Sequence, residues 1–97
     1  MQQVLAIASD HPAYTGHFPG HPLLPGVVLL AEALAAIEES MPPPANGWIV
    51  ESAKFLIPVE PGTPLTLSHE PGASGAVRFE IRSPAGVVAS GVIAAQA

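Results

Sequence analysis

The sequence predicts an α+β domain in which an antiparallel sheet of about five strands curls around one central helix. Only one segment, residues 27–40 (VVLLAEALAAIEES), combines good helix formers with freedom from Gly and Pro. Nearly all of its positions are apolar or Ala, which predicts a helix buried on most sides. The other apolar segments are short and end at turns that contain Pro or Gly, a pattern typical of antiparallel hairpins.

The boundaries of the elements follow from the residues that interrupt the apolar segments. Residues 10–26 form a long loop, because seven Pro and Gly residues there exclude a regular element. The segment 41–47 (MPPPANG) ends the helix, since Pro cannot continue it. Residues 76–83 (AVRFEIRS) alternate apolar with charged side chains, which indicates a half-buried strand. The predicted strands are residues 2–9, 48–59, 65–70, 76–83 and 87–97.

The composition predicts a single domain, residues 1–97, that associates with a second copy of itself. The chain has 97 residues, of which 48% are apolar and only 11% are charged. A domain of this size buries a modest core, and so few charges indicate a surface that another copy partly covers. We therefore expect a homodimer or a dimer of dimers.

Charge and cysteine content exclude several classes of protein. The net charge is −5 and the only basic side chains are Lys54, Arg78 and Arg82, so we expect no nucleic-acid partner. The absence of cysteine excludes disulfides, thiolate catalysis and Cys-ligated zinc, and fits a reducing cytoplasm. The apolar run 27–37 is too short to span a bilayer, and the N-terminus lacks the basic region of a signal peptide. We expect a cytoplasmic protein with no membrane partner.

The loop GHFPGHPLLPG, residues 16–26, contains the main candidates for catalytic residues. His17 lies among Gly and Pro residues that restrict the loop, so its imidazole can be oriented in advance for proton transfer near neutral pH. Gly26 begins the helix, where backbone N–H groups without intrahelical acceptors can polarise a carbonyl oxygen. A base that faces a polarised carbonyl can remove a proton next to a thioester or ketone, and the apolar helix suits a fatty chain.

The segment GHFPGHPLLPGVVLL resembles the active-site segment of the hotdog-fold β-hydroxyacyl-(acyl carrier protein) dehydratases of fatty acid synthesis, in particular small members of that family found in lipid and polyene clusters. The match is dense over residues 16–30, and WIVESAKFLIPVEPGTPL, residues 48–65, is similar to the strand that follows in the family. The resemblance implies a hotdog fold, a dimer with active sites at the subunit interface, and an acyl thioester substrate carried by acyl carrier protein or coenzyme A.

The resemblance also implies roles for single residues. His17 is the catalytic base, the Gly26 amide holds the thioester carbonyl, and Val27 lines the acyl tunnel with the rest of the helix. We assign substrate binding to Phe18, Gly20, Pro25, Gly26, Val27 and Ala31. We expect no cofactor, since no Gly-rich phosphate loop follows a strand, and no metal site.

One position departs from the family pattern. The family carries a carboxylate five residues after the Gly that corresponds to Gly26, and that position is Ala31 here. Glu32 follows it, but a step of one residue turns a side chain by about 100° around a helix. Glu32 is therefore either a displaced catalytic acid or a peripheral residue on a stripe that it shares with Glu39.

Two other functions remain open at this stage. A hotdog thioesterase would use a helix carboxylate such as Glu32 to activate water, and a non-catalytic acyl-binding protein or degenerate partner would explain Ala31. The three basic side chains are candidates for binding a phosphopantetheine phosphate, although we favour a solvated strand position for each of them. We interpret His11 and His69 as structural, and Trp48 and Phe55 as core or interface aromatics.

Overall fold

The computed structural model describes residues 2–7, 23–72 and 75–96. These residues form one helix and five strands in the order β1, α1, β2, β3, β4, β5. Their bounds are Gln2–Val4 for β1, Gly26–Ser40 for α1, Trp48–Phe55 for β2, Thr66–Pro71 for β3, Val77–Ser83 for β4 and Gly86–Ala95 for β5. The predicted α+β architecture, with five antiparallel strands and one helix, is confirmed.

The strands form a single antiparallel sheet in the spatial order β1-β3-β4-β5-β2. Strands β3, β4 and β5 are consecutive hairpins, as the short turns between them predict. β2 pairs with β5 along its whole length and has a bulge between Val50 and Ser52. Its other edge pairs with no strand in the described part of the chain. β2 is therefore an edge strand of the sheet, and it is the strand that directly follows α1 in the sequence.

The core lies between α1 and one face of the sheet. The alternation predicted for β4 is confirmed, because Val77, Phe79 and Ile81 are buried while Arg78 and Arg82 are exposed. The helix contributes four buried residues, Leu29, Ala33, Ala36 and Ile37. Strand residues of the same cluster include Leu67, Val88, Ala89 and Ile93. Burial of this apolar surface stabilises the packing of α1 on the sheet.

Two strands end earlier than the sequence pattern predicts. β1 ends at Val4, and the chain beyond it is held by a bond of 3.0 Å from the Leu5 amide to the Leu65 carbonyl. β2 ends at Phe55, after which the amides of Leu56 and Ile57 both bond to the carbonyl of Val88. Two amides on one carbonyl break the one-to-one pairing of the ladder after Phe55, and Pro58, which has no N–H, cannot resume it.

The helix is covered by the sheet on one side only. Val27, Ala31 and Ala35, spaced four residues apart, form an exposed small-apolar stripe along the opposite side. The expectation of a helix buried on most sides is thus not met within one chain. On β2, seven of eight residues are exposed. The helix stripe and the edge of β2 are thus two surfaces that no other described element covers.

Candidate active site

The N-terminal end of α1 presents backbone donors. Pro25 precedes the helix with an extended backbone and caps it without a side-chain bond. Its carbonyl accepts the amides of Val28 at 3.0 Å and Leu29 at 3.1 Å. The amides of Gly26 and Val27 meet no acceptor within the described residues. No acidic residue lies in the first turn, so the positive end of the helix dipole is not neutralised there.

The position of the helix start is fixed by the segment that follows β2. The amide of Leu24 donates to the carbonyl of Val59 at 2.9 Å, which ties the approach to α1 to residues 56–59. The ring of Phe55 packs directly on Gly26, because a Cβ added at that glycine would lie 3.1 Å from the ring atoms Cε1 and Cζ. A side chain at position 26 would therefore compete with this ring for space.

An apolar pocket opens at this junction. Its volume is about 250 Å³, and it is lined by Leu24, Gly26, Leu29, Phe55, Leu56, Ile57, Pro58 and Val59. None of these described lining residues carries a charged side chain. Backbone donors at one end of an apolar pocket suit a ligand with a carbonyl group attached to a hydrocarbon chain.

Four of the predicted substrate-binding residues lie within the described range, three of them at the helix start and one further along the helix. Pro25, Gly26 and Val27 come together at the helix start, and Ala31 lies one turn further along the stripe that begins at Val27. The predicted His17, Phe18 and Gly20 lie outside the described residues, as do His11 and His21.

Glu32 does not lie on the same side of the helix as Ala31. The helix is α-helical without interruption from Gly26 to Ser40, so no bulge rotates Glu32 into the position of residue 31. Ala31 is exposed, whereas Glu32 is half-buried and lies on the helix surface beside Leu29 and Ala36, which are both buried. The stripe of Glu32 therefore does not face solvent along its whole length.

Sequence reasoning did not anticipate the position of Phe55, which it assigned only to the core or an interface. The side chain is 49% exposed and ends the open-edge strand, with one part of its ring on Gly26. The available signal was weak: an aromatic residue just before a Pro-containing turn, and a glycine at a helix start.

A second histidine lies at the other end of α1. His69 on β3 is 3% exposed, and its Nε2 lies 3.1 Å from the hydroxyl oxygen of Ser40. The same hydroxyl oxygen lies 3.1 Å from the carbonyl oxygen of Ile37, so Ser40 bridges the helix backbone and the imidazole. Burial lowers the pKa of His69, which favours the neutral ring.

This Ser-His pair lacks the surroundings of a nucleophile. The negative end of the helix dipole lies at Ser40, where it would repel an oxyanion. The pair is best described as a polar link between the end of α1 and β3, which agrees with the structural role expected for His69.

The basic side chains lie on the outer face of the sheet, away from α1. Lys54 precedes the inward-facing Phe55, and Arg78 alternates with buried residues of β4. Arg82 forms an ion pair with Glu80. These side chains are thus not grouped around the start of the helix, and a phosphate site next to the apolar pocket would not use them.

Within the described residues no group of His, Asp and Glu side chains is arranged to hold a metal ion. The helix of the described part is not long and apolar enough to cross a membrane.

Comparison with known proteins identifies the class. Two solved structures cover 96% of this chain: the dehydratase heterocomplex ApeI:P from Xenorhabdus doucetiae, with a TM-score of 0.79 and 26% identity, and an uncharacterized protein from Erwinia carotovora subsp. atroseptica, with 0.76 and 30%. The chain in turn covers 83% and 79% of those chains. The sheet order, the single packed helix and these similarities define a hotdog fold.

Within this class, the ApeI dehydratase family model matches residues 1–92, and the chain belongs to this ApeI-like family. The chain is also 42% identical over 77 residues to the 3-hydroxyacyl-(acyl-carrier-protein) dehydratase FabZ of Zymomonas mobilis. That match covers 69% of this chain and 48% of the relative, and a match to the FabZ of Thermus thermophilus covers 51% of that relative. The chain thus spans about half the length of these relatives.

Proposed function

We propose that this chain is a β-hydroxyacyl-thioester dehydratase, a hydro-lyase of fatty acid or related lipid metabolism. The observation that carries the proposal is the Gly26 amide, which meets no acceptor among the described residues and belongs to a residue that lines an apolar pocket. Such donors stabilise the negative charge that develops on a thioester oxygen when the neighbouring carbon loses a proton. Membership of the ApeI-like family and similarity to FabZ support this choice of reaction.

The proposed reaction has two parts. The thioester carbonyl accepts a bond from the Gly26 amide, and His17 removes a proton from the α-carbon. The electron pair then forms the double bond between the α- and β-carbons, and the bond from the β-carbon to its hydroxyl oxygen breaks. The hydroxyl takes up a proton and leaves as water, so that the product is an enoyl thioester.

The mechanism also needs a residue that donates a proton to the leaving hydroxyl. Ala31 cannot supply a proton, and Glu32 lies on a neighbouring side of the helix. General acid catalysis typically contributes about 10²–10⁴-fold, so a chain with a poorly placed acid would be slow rather than inactive. We propose Glu32 as the donor, and a Glu32→Gln variant with unchanged turnover would remove it from the mechanism.

The substrate is proposed to arrive on acyl carrier protein or on coenzyme A. FabZ is named for a substrate on acyl carrier protein, which favours the same carrier here. The basic residues lie away from the helix start, so we expect carrier docking without a strong charge contribution. The reaction would take place in the cytoplasm, and the absence of cysteine from the chain is compatible with that compartment.

A homodimer, or a dimer of dimers, is proposed to cover the open apolar surfaces. Ile49 and Val50 are 45% and 41% exposed on the edge strand, and Val27 on the helix is 75% exposed. Unpaired apolar edge strands are normally protected by pairing. Sedimentation analysis should show a mass of two or four chains, and Ile49→Lys should shift it toward one. A wild-type monomer would contradict the proposal.

The test of the activity is turnover of 3-hydroxyacyl thioesters by the purified protein, beside a His17→Ala control. Formation of the enoyl thioester that is lost in the control supports the dehydratase. Release of the free thiol would instead indicate a thioesterase. Binding of acyl thioesters without turnover, in a folded protein, would favour a non-catalytic acyl-binding protein, the alternative that Ala31 supports.

A further inference from the structure

The contact between Phe55 and Gly26 places an aromatic ring beside the proposed carbonyl site. A Cβ at Gly26 would meet three ring atoms at 3.1–3.2 Å, so the ring lies almost on the backbone that begins the helix. A thioester held by the Gly26 amide therefore has its first carbons beside this ring. Any group attached to those carbons must share the space with Phe55.

About half of the Phe55 side chain is exposed and can contact a ligand. Phe55 is 49% exposed although its side chain faces inward, toward α1. Its cross-strand partner is Ala89, and the neighbouring inward positions are Ala53 and Gly91. These small residues do not confine the ring on the strand side, whereas Gly26 confines it on the helix side. The ring thus lines the 250 Å³ pocket beside Gly26.

We propose that Phe55 determines the width of the acyl chain that this site accepts next to the thioester, admitting straight chains and rejecting chains with a branch close to the carbinol. This inference rests on the proposed function. The ring lies so close to Gly26 that even an added Cβ would crowd it, so a methyl branch on the carbon next to the carbinol would have to displace the ring. Discrimination by a single methyl or methylene group in an apolar pocket typically amounts to about 10–200-fold.

The experiment compares two isomeric 3-hydroxyacyl thioesters with equal carbon number, one straight and one with a methyl branch next to the carbinol. We expect wild-type kcat/KM to favour the straight isomer by about tenfold or more. Phe55→Ala should reduce this preference to about twofold or less, mainly by restoring the branched substrate, and Phe55→Leu should give an intermediate value. A preference that stays unchanged in both variants would overturn the inference.

Val4→Ala is the matched control. Val4 is also an exposed apolar strand residue, 78% exposed, but it lies on β1, at the edge of the sheet opposite to β2 and Phe55. This control should keep the wild-type preference. Sedimentation of the Phe55 variants tests the other role of the ring: loss of the native mass with unchanged selectivity would assign Phe55 to the subunit contact and contradict the inference.

Calorimetric binding of non-reactive straight and branched acyl thioethers separates this inference from the proposed activity. If no variant turns over substrate, the dehydratase proposal fails. A straight-chain preference in binding that Phe55→Ala removes would still support the role of Phe55, whereas equal binding of both ligands by the wild type would overturn it.

Discussion

Replacement of Gly26 by Ala adds one methyl group at the helix start and tests whether this position holds the thioester carbonyl. Its Cβ would lie 3.1 Å from two atoms of the Phe55 ring, while ordinary van der Waals contact begins near 3.4 Å. The ring must therefore retreat by about 0.3 Å. Because Phe55 is half-exposed on an edge strand, we expect this movement to cost little.

Stability and activity should respond differently to this substitution. Ala is a better helix former than Gly by up to about 1 kcal/mol, which offsets the cost of moving the ring. We expect the free energy of unfolding to change by less than about 1 kcal/mol. The methyl group, however, would lie between the Gly26 backbone and the ring, next to the place where we propose that the thioester carbonyl binds. Ala keeps the backbone N–H, so the expected loss comes from the methyl group blocking the carbonyl's approach to it. Loss of one oxyanion interaction typically costs about 10²–10³-fold, and we expect kcat/KM to fall by about 10²-fold or more.

The assay combines urea unfolding with enoyl thioester formation by wild type, Gly26→Ala and the double variant Gly26→Ala/Phe55→Leu. The double variant gives the methyl group room, so recovery of activity there would attribute the loss to the displaced ring. A folded Gly26→Ala variant with kcat/KM within about threefold of the wild type would refute the role of the helix start in holding the carbonyl.

Three further predictions concern other parts of the chain. Ala31→Glu should raise dehydration, by up to about 10²–10⁴-fold if the new carboxyl acts as the acid, and no gain in steady-state turnover would count against the assignment. Because burial lowers the pKa of His69, the unfolded chain takes up its proton first as pH falls below the ordinary histidine range. The free energy of unfolding should thus decrease on acidification by at most about 1.4 kcal/mol per pH unit from this group. In urea titrations the His69→Gln variant should lack this contribution to the pH dependence of stability. An identical pH slope in both proteins would contradict the prediction. Gly91→Ala should destabilise by about 1–3 kcal/mol in urea unfolding, since its Cβ would overlap the Ser52 carbonyl and lie 2.7 Å from Phe79 Cζ; wild-type stability would show that the close packing is not required.

Local patterns predict most of the fold. The Pro-rich segment after residue 40 ends the helix where expected, and the alternation of Val77, Phe79 and Ile81 identifies the inward face of β4. These features depend on backbone periodicity and on the missing N–H of Pro, which are properties of short segments. The end of β2 is less predictable, because apolar residues continue beyond Phe55 although the ladder does not.

Contacts between distant segments were not predictable in the same way. The pattern places His69 at a strand end, but it does not reveal that Ser40, 29 residues earlier, is its hydrogen-bond partner. Gly26 is recognisable as a helix start, but the ring that packs on it comes from the edge strand. Such contacts depend on how the sheet curves over the helix, which no single segment specifies.

The most direct test of the central claim is to follow the α-proton of a 3-hydroxyacyl thioester in heavy water by nuclear magnetic resonance. The claim is that His17 removes this proton while the Gly26 amide holds the thioester carbonyl. We predict stereospecific loss of the α-proton signal with appearance of the enoyl product in the wild type, loss of both in His17→Ala, and slowing by about 10²-fold or more in Gly26→Ala. Equal rates in wild type and His17→Ala, with the thioester bound to both, would contradict the account.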